Sequence, residues 1–294
     1  MENFITLLIS GITSGSIYCL IAVGFVVVFK ATKVLNFSQG MLVVVGAYLM
    51  WTVFSIGIPV FLAIILGFIL TMTASMALER VCMRPLVGQP ILASVMVTLC
   101  LIGGLRGLVL LLWGPQGKKF PVEIVSSGVW TIGGMGISKE KAMALMASLC
   151  LIILLYLFFK FTRIGLGMKV TSEDHFIGQI VGLKINRIFS YSWGIAGLVA
   201  AVGGLFLGLI ISIRPELEEI GLKALSAMLL GGLESIPGAI IGGIMIGLAE
   251  AMSGWYLASY LGNGIGEVSP YILMIIVLLI RPYGLFGWKK IERV

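Results

Sequence analysis

Two ionisable side chains, Arg106 and Glu250, fall inside long apolar runs of this 294-residue chain. An isolated charge in hydrocarbon costs at least roughly 3 kcal/mol, so each needs a partner, water or a route to the interface. Their opposite signs allow them to compensate one another in the bundle interior. Alternatively, Arg106 snorkels and Glu250 sits near the outer boundary. Enzyme chemistry finds little footing elsewhere. The single histidine, His175, lies in a polar loop far from any nucleophile motif, and GxSxG, HExxH and GxxxxGK[ST] are all absent. The stretch Gly114-Pro115-Gln116-Gly117-Lys118-Lys119 has the wrong spacing for a phosphate loop. The chain is therefore expected to be no enzyme, to hold no metal or cofactor and to hydrolyse no ATP itself. Cys19, Cys82, Cys100 and Cys150 form no CxxC pair and read as small apolar packing residues.

The elements that must position these residues are membrane helices. Hydrophobic residues make up 59% of the chain and charged residues 11%, against about a quarter charged in a soluble domain. Apolar runs near 5–29, 41–57, 58–78, 91–113, 142–160, 188–212, 237–253 and 266–280, with a shorter one at 222–233, predict an all-α polytopic membrane protein of eight to nine segments. The alternating ten-residue pattern of a membrane barrel is not visible. The whole chain, 1–294, reads as one membrane domain. The start MENFITLL carries Glu2 and no basic run, so no cleaved signal peptide is expected. The net charge of +7 sits in short loops between spans, where membrane orientation accounts for it without nucleic acid.

Counting Lys and Arg orients the spans. With Lys30/Lys33, Arg80/Arg84, the stretch Lys160–Arg187 and the tail on the inner side, thirteen basic residues lie inside and six outside: Lys118, Lys119, Lys139, Lys141, Arg214 and Lys223. The chain then closes only if 222–233 also reverses direction. Its 12 residues reach only about 18 Å as a helix, short of the roughly 30 Å hydrocarbon core. It is expected to be a half-helix continued by irregular backbone around Gly231-Gly232-Leu233-Glu234-Ser235-Ile236-Pro237-Gly238, which marks either a pathway or a re-entrant packing element. Asn36-Phe37-Ser38-Gln39-Gly40 raises the same pair of alternatives: a turn capped by Asn36 or Ser38, or a helix break partnered with the one at 231–238. Asn36, Ser38, Gln39, Gly40, Gly231, Gly232, Ser235, Pro237 and Glu250 are thus the candidate pathway residues. Small residues four apart, Gly11/Gly15, Gly103/Gly107, Gly204/Gly208, Gly238/Gly242 and Gly243/Gly247, predict closely packed helices.

The stretch Lys160–Arg187 is the longest polar interruption and carries five basic residues. Glu173 and Asp174 favour the start of a short helix there, and Gly182 suits its left-handed end. Phe176, Ile177, Ile180 and Val181 form an apolar stripe along it.

Four blocks carry a family resemblance: Gly11–Tyr48, Glu79–Leu86 (ERVCMRPL), Gly221–Met252 and Leu279–Gly287 (LIRPYGLFG). In order and spacing, over nearly the whole chain, they resemble the branched-chain amino acid ABC transporter permeases of the LivH type. That resemblance implies an importer subunit in a bacterial or archaeal cytoplasmic membrane. It implies pairing with a second homologous permease, with two cytoplasmic ATP-binding subunits that hold ATP and magnesium, and with an extracytoplasmic binding protein that delivers the amino acid. It also makes 160–187 the loop that couples to the ATPase, through Glu173, Asp174, Phe176, Ile177, Ile180 and Gly182. Ile177, Gly178 and Gln179 depart from the alanines usual there. Permeases for urea, short amides or other amino acids share this build. An ion-coupled transporter working alone is the alternative from another class.

Overall fold

The computed structural model describes residues 2–122, 124–125, 128–132, 135–173, 180, 182–262 and 264–287. Helices α1 (Glu2–Thr32), α2 (Gln39–Ser55), α3 (Val60–Leu78), α4 (Ile91–Trp113) and α5 (Lys139–Phe161) are followed by the shorter α6 (Arg163–Glu173). Then come α7 (Ile185–Ile210), α8 (Glu219–Gly231), α9 (Ile236–Tyr256), the single turn α10 (Ala258–Leu261) and α11 (Ile265–Ile280). Six of these are long and apolar enough to cross a membrane, and α2 and α11 are shorter apolar helices. The polytopic all-α class and each expected segment are present. One addition is a two-stranded antiparallel hairpin, β1 (Val129–Ile132) with β2 (Met135–Ser138), between α4 and α5.

The bundle is built around α1. Its apolar window is 83% buried, whereas those of α4 and α5 are each 17% buried. α1 lies against α9, α7, α8 and α5, while α2 is held between α3 and α7. The α1–α9 contact is made by glycines. A Cβ on Gly15 would stand 2.9 Å from the Gly243 carbonyl oxygen, and one on Gly11 would stand 3.0 Å from the Leu248 Cα. Two of the five expected small-residue pairs thus meet each other, α1 running antiparallel to α9. Gly204 packs as closely on α2, beside Ala47. Gly103 and Gly107 differ: a Cβ on either meets no described atom within 4 Å. α4 turns that face away from the bundle.

The loops sort into two sets. At one end, the Lys33 ammonium lies 2.6 Å from the Glu234 carboxylate, which ties the α1–α2 link to the α8–α9 link. The amides of Leu285 and Phe286 donate to the carbonyls of Leu230 and Gly231 at 2.9 and 3.0 Å, bringing the chain after α11 to the same place. At the other end, Lys118 and Ile213 exchange two backbone hydrogen bonds of 2.8 Å, and the Trp51 indole donates to the Lys119 carbonyl. The first set is the one that the charge count assigns to the inner side.

Candidate translocation site

The backbone bends first at Lys33, whose φ of +58° is left-handed, so α1 stops there. The six-residue link to α2 is held by its own polar side chains. The Asn36 side-chain oxygen accepts from the Ser38 hydroxyl (2.6 Å) and the Ser38 amide (3.2 Å), as in an Asx turn. The Gln39 side-chain amide donates to the Ala196 carbonyl on α7 at 3.1 Å. All three side chains are fully buried. Asn36, Ser38 and Gln39 therefore satisfy the broken backbone and anchor it to α7; of the two alternatives read from the sequence, the local geometry is that of a turn closed by Asn36. Ser38 precedes α2 but makes no side-chain cap. Gly40 is the candidate pathway residue of this stretch that lines the neighbouring cavity, itself buried against the Glu218 carbonyl and Gly221.

The second break follows α7. The chain turns at Ser212, a left-handed residue with φ of +94°, and passes through a 3₁₀ turn at Pro215–Glu218. It then starts α8, whose 13 residues span about 20 Å. A left-handed non-glycine conformation costs on the order of 1–3 kcal/mol and marks a turn that its surroundings impose. The half-helix expected from the charge count is thus present, slightly longer and starting three residues earlier. Its partner differs from expectation. The start of α2 meets the start of α8, not the break at 231–238: a Cβ on Gly221 would fall 2.5 Å from the Gly40 Cα. The N-terminal turns of α2 and α8 therefore abut within the bundle, with the Gln39 amide already donating to the Asn36 carbonyl at 3.1 Å and the Glu219 amide to the Glu216 carbonyl.

Beside this meeting point lies a cavity of about 110 Å³ with apolar walls from Phe25, Phe37, Met41, Ile102, Leu222 and Leu225. Glu218 and Glu219 form its acidic end. Arg106 reaches Glu218 from α4, with Nη1 and Oε1 2.6 Å apart. Of the two alternatives read from the sequence, the pairing of Arg106 with Glu250 does not occur. Glu250 instead accepts from the Tyr18 hydroxyl at 2.5 Å and from the Lys223 ammonium at 2.6 Å. Lys223, counted as an outer-loop charge in the sequence, lies in α8 and is 15% exposed. Glu218, Glu219, Tyr18 and Lys223 were missed as site residues. The run Pro215-Glu216-Leu217-Glu218-Glu219 before a short apolar segment was the available signal.

The residues at 231–238 form the tight α8–α9 turn. Gly231 and Gly238 are in backbone contact, and Gly232 has φ of +113° with the Gly287 amide against it. Ser235 caps α9 by accepting from the Gly238 amide at 3.0 Å, with Pro237 in the first turn. Gly231, Gly232, Ser235 and Pro237 thus join two helices and the C-terminal stretch, away from the cavity.

At the inner end, α6 presents Met168 and Thr171 to the protein, each almost completely buried. Glu173 is the last residue of α6, and the short helix expected to follow falls on residues outside those described. Asp174, Phe176 and Ile177 lie outside the described residues. Ile180 is 70% exposed, and Gly182 has the left-handed φ of +82° expected of it.

Residues 7–279 match the model of the family described as "Branched-chain amino acid transport system / permease component". The chain is 29% identical over 307 residues to the high-affinity branched-chain amino acid transport system permease protein LivH of Escherichia coli K12, covering 99% of this chain and 98% of that protein. It is 29% identical over 306 residues, with the same coverage, to the corresponding protein BraD of Pseudomonas aeruginosa. To the probable branched-chain amino acid transport permease protein LivH of Methanocaldococcus jannaschii it is 30% identical over 289 residues, 93% of this chain and 90% of that one. Among solved structures it is similar to a chain of PsaBC from Streptococcus pneumoniae in complex with Fab, with a TM-score of 0.50 and 14% identity over 97% of this chain and 92% of that chain. That last likeness shows the fold alone.

Proposed function

The chain belongs to the family of permease components of branched-chain amino acid transport systems, and from this premise we propose that it is the multi-pass permease subunit of an ATP-driven importer for branched-chain amino acids. The observation that carries the proposal is the match along nearly the full length to relatives named for that transport. The family match spans both helix breaks, at 33–38 and 211–218, together with the cavity between them.

The chain has no phosphate-loop motif to hold ATP. The energy therefore comes from partner subunits: two cytoplasmic ATPases that bind ATP and magnesium, acting on the polar stretch 160–187. A second homologous permease completes the conduit, and an extracytoplasmic binding protein loads it. The membrane is the cytoplasmic membrane of a bacterium or archaeon. A permease fed in this way needs only weak contacts with its substrate, since the binding protein sets selectivity upstream.

The test is to purify the tagged chain from its native membrane and identify what accompanies it. The expected result is co-purification of a Walker A protein and a second permease, and ATP-dependent uptake of labelled leucine once they are reconstituted with the binding protein. Uptake by the chain alone, driven by an ion gradient with no ATPase present, would overturn the proposal.

A further inference from the structure

The pair Arg106–Glu218 is not placed as a structural ion pair would be. Charge at membrane depth must be matched or wet, and this pair is only partly matched within the chain. Here Arg106 lies about 10 Å from the outer end of α4, yet its side chain is 44% exposed and Glu218's is 15% exposed. Only one Glu218 oxygen is engaged. The second is buried without a hydrogen-bond partner among the described residues, which is costly for a carboxylate unless something else serves it. Glu219 adds a second acid at the same edge of the cavity. The other walls are apolar, and Gly40 and Gly221, in the first turns of α2 and α8, meet at the cavity's edge.

We infer that this cavity is a transit subsite for a zwitterionic, apolar amino acid, in which Arg106 takes the α-carboxylate, Glu218 with Glu219 takes the α-ammonium, and Phe25, Phe37, Met41, Ile102, Leu222 and Leu225 receive the side chain. This rests on the importer reading above and names the groups that would handle its substrate. The charges balance. One internal ion pair is exchanged for two intermolecular ones, so no net charge is buried when a neutral zwitterion enters. The guanidinium suits this role because its planar fork meets a carboxylate with two parallel hydrogen bonds. The site is weak by construction, since each entry must displace the 2.6 Å contact between Arg106 and Glu218. Weak holding is what passage requires.

The test uses the complete transporter, reconstituted with its ATPases, second permease and binding protein. In the doubly neutral variant Arg106→Gln with Glu218→Gln, both members of the pair are removed together and neither is left facing a missing partner, so a merely structural pair would be replaced at little loss. The subsite instead requires leucine uptake at saturating binding protein to fall at least tenfold while the complex still assembles. Uptake at the wild-type rate in that variant overturns the inference. A second measurement does not depend on how that variant folds. With the four native cysteines replaced, Leu222→Cys is labelled by a water-soluble maleimide in the turning-over complex with and without millimolar leucine. Slower labelling with leucine, but not with 4-methylpentanoate, which lacks the ammonium group, is the expected result. Labelling that neither compound alters overturns the subsite. Absence of ATP-driven uptake in the wild-type complex would instead overturn the importer reading, so the two failures are distinguishable.

Discussion

Glu79 shows how a single residue can be placed by chemistry that its neighbours in the chain do not reveal. It is 1% exposed at the inner end of α3, where the helix widens into a π turn over Glu79–Met83. Its carboxylate accepts from the Ser190 hydroxyl at 2.6 Å and from Arg84 at 3.1 Å, and Arg84 also donates to Ser190 at 2.7 Å. A buried carboxylate that loses its cation keeps the desolvation cost without the compensation. Arg84→Ala is therefore expected to destabilise the solubilised protein by about 2 kcal/mol, below the roughly 3–5 kcal/mol of a fully buried pair because Arg84 is itself 31% exposed. Arg80→Ala, at an exposed position one residue past Glu79, is expected to stay within about 0.5 kcal/mol. Thermal unfolding in detergent of the two variants side by side checks this. An equal shift for both would show that Arg84 contributes only its surface charge.

At the scale of elements, the α1–α9 contact and the exposed face of α4 carry the same small-residue spacing and behave oppositely. Gly15 has the backbone of Gly243 and Ile244 at about van der Waals limits, so a side chain there must push two helices apart. Gly15→Leu is expected to cost about 1–3 kcal/mol or more through overpacking and to lower the yield of folded protein in size-exclusion chromatography. Gly107→Leu, with open space before it, is expected to leave the isolated chain monodisperse. If both changes aggregate the protein, the α4 face is packed in a way the bundle does not account for. Spacing alone could not separate these cases, because i, i+4 small residues say that a backbone can approach and not which one does.

The spans themselves were legible because a 20-residue apolar run has few alternatives in lipid. α8 was legible only through the parity of the charge count. The partner of Arg106 was not, since Glu218 lies 112 residues away in a stretch that reads as an ordinary acidic loop. Asn36, Ser38 and Gln39 were legible as an interruption, either a capped turn or a break partnered with 231–238, and the structure closes it as a turn through the Asn36 side chain. Their burial depends on the Ala196 carbonyl of α7, which no local pattern announces.

Across the whole molecule, the question is how force applied at the inner end would reach the cavity. α6 packs against α1, α5 and α7. Its Met168 forms one buried cluster with Ala31 at the end of α1 and with Ile188 and Phe189 at the start of α7. α1 passes directly from that cluster into the bend at Lys33 and on to Gly40 beside the cavity, while α7 leads to the turn at Ser212 and on to Glu218. The same clamp thus holds the roots of both broken segments. Displacing α6 shifts them together, because a close-packed interior transmits strain and does not absorb it. Two changes loosen the link at different points. Met168→Ala leaves a cavity in the clamp, costing about 2–5 kcal/mol locally. Gly182→Val forces a β-branched residue into a φ of +82° just before α7, at a further cost of about 1–2 kcal/mol. In the reconstituted transporter both variants are expected to keep ATP hydrolysis within about twofold of wild type while leucine uptake per ATP falls several-fold. The measurement is the ratio of the two rates in the same vesicles. A ratio unchanged in both variants would mean that force enters the bundle by a route other than α6.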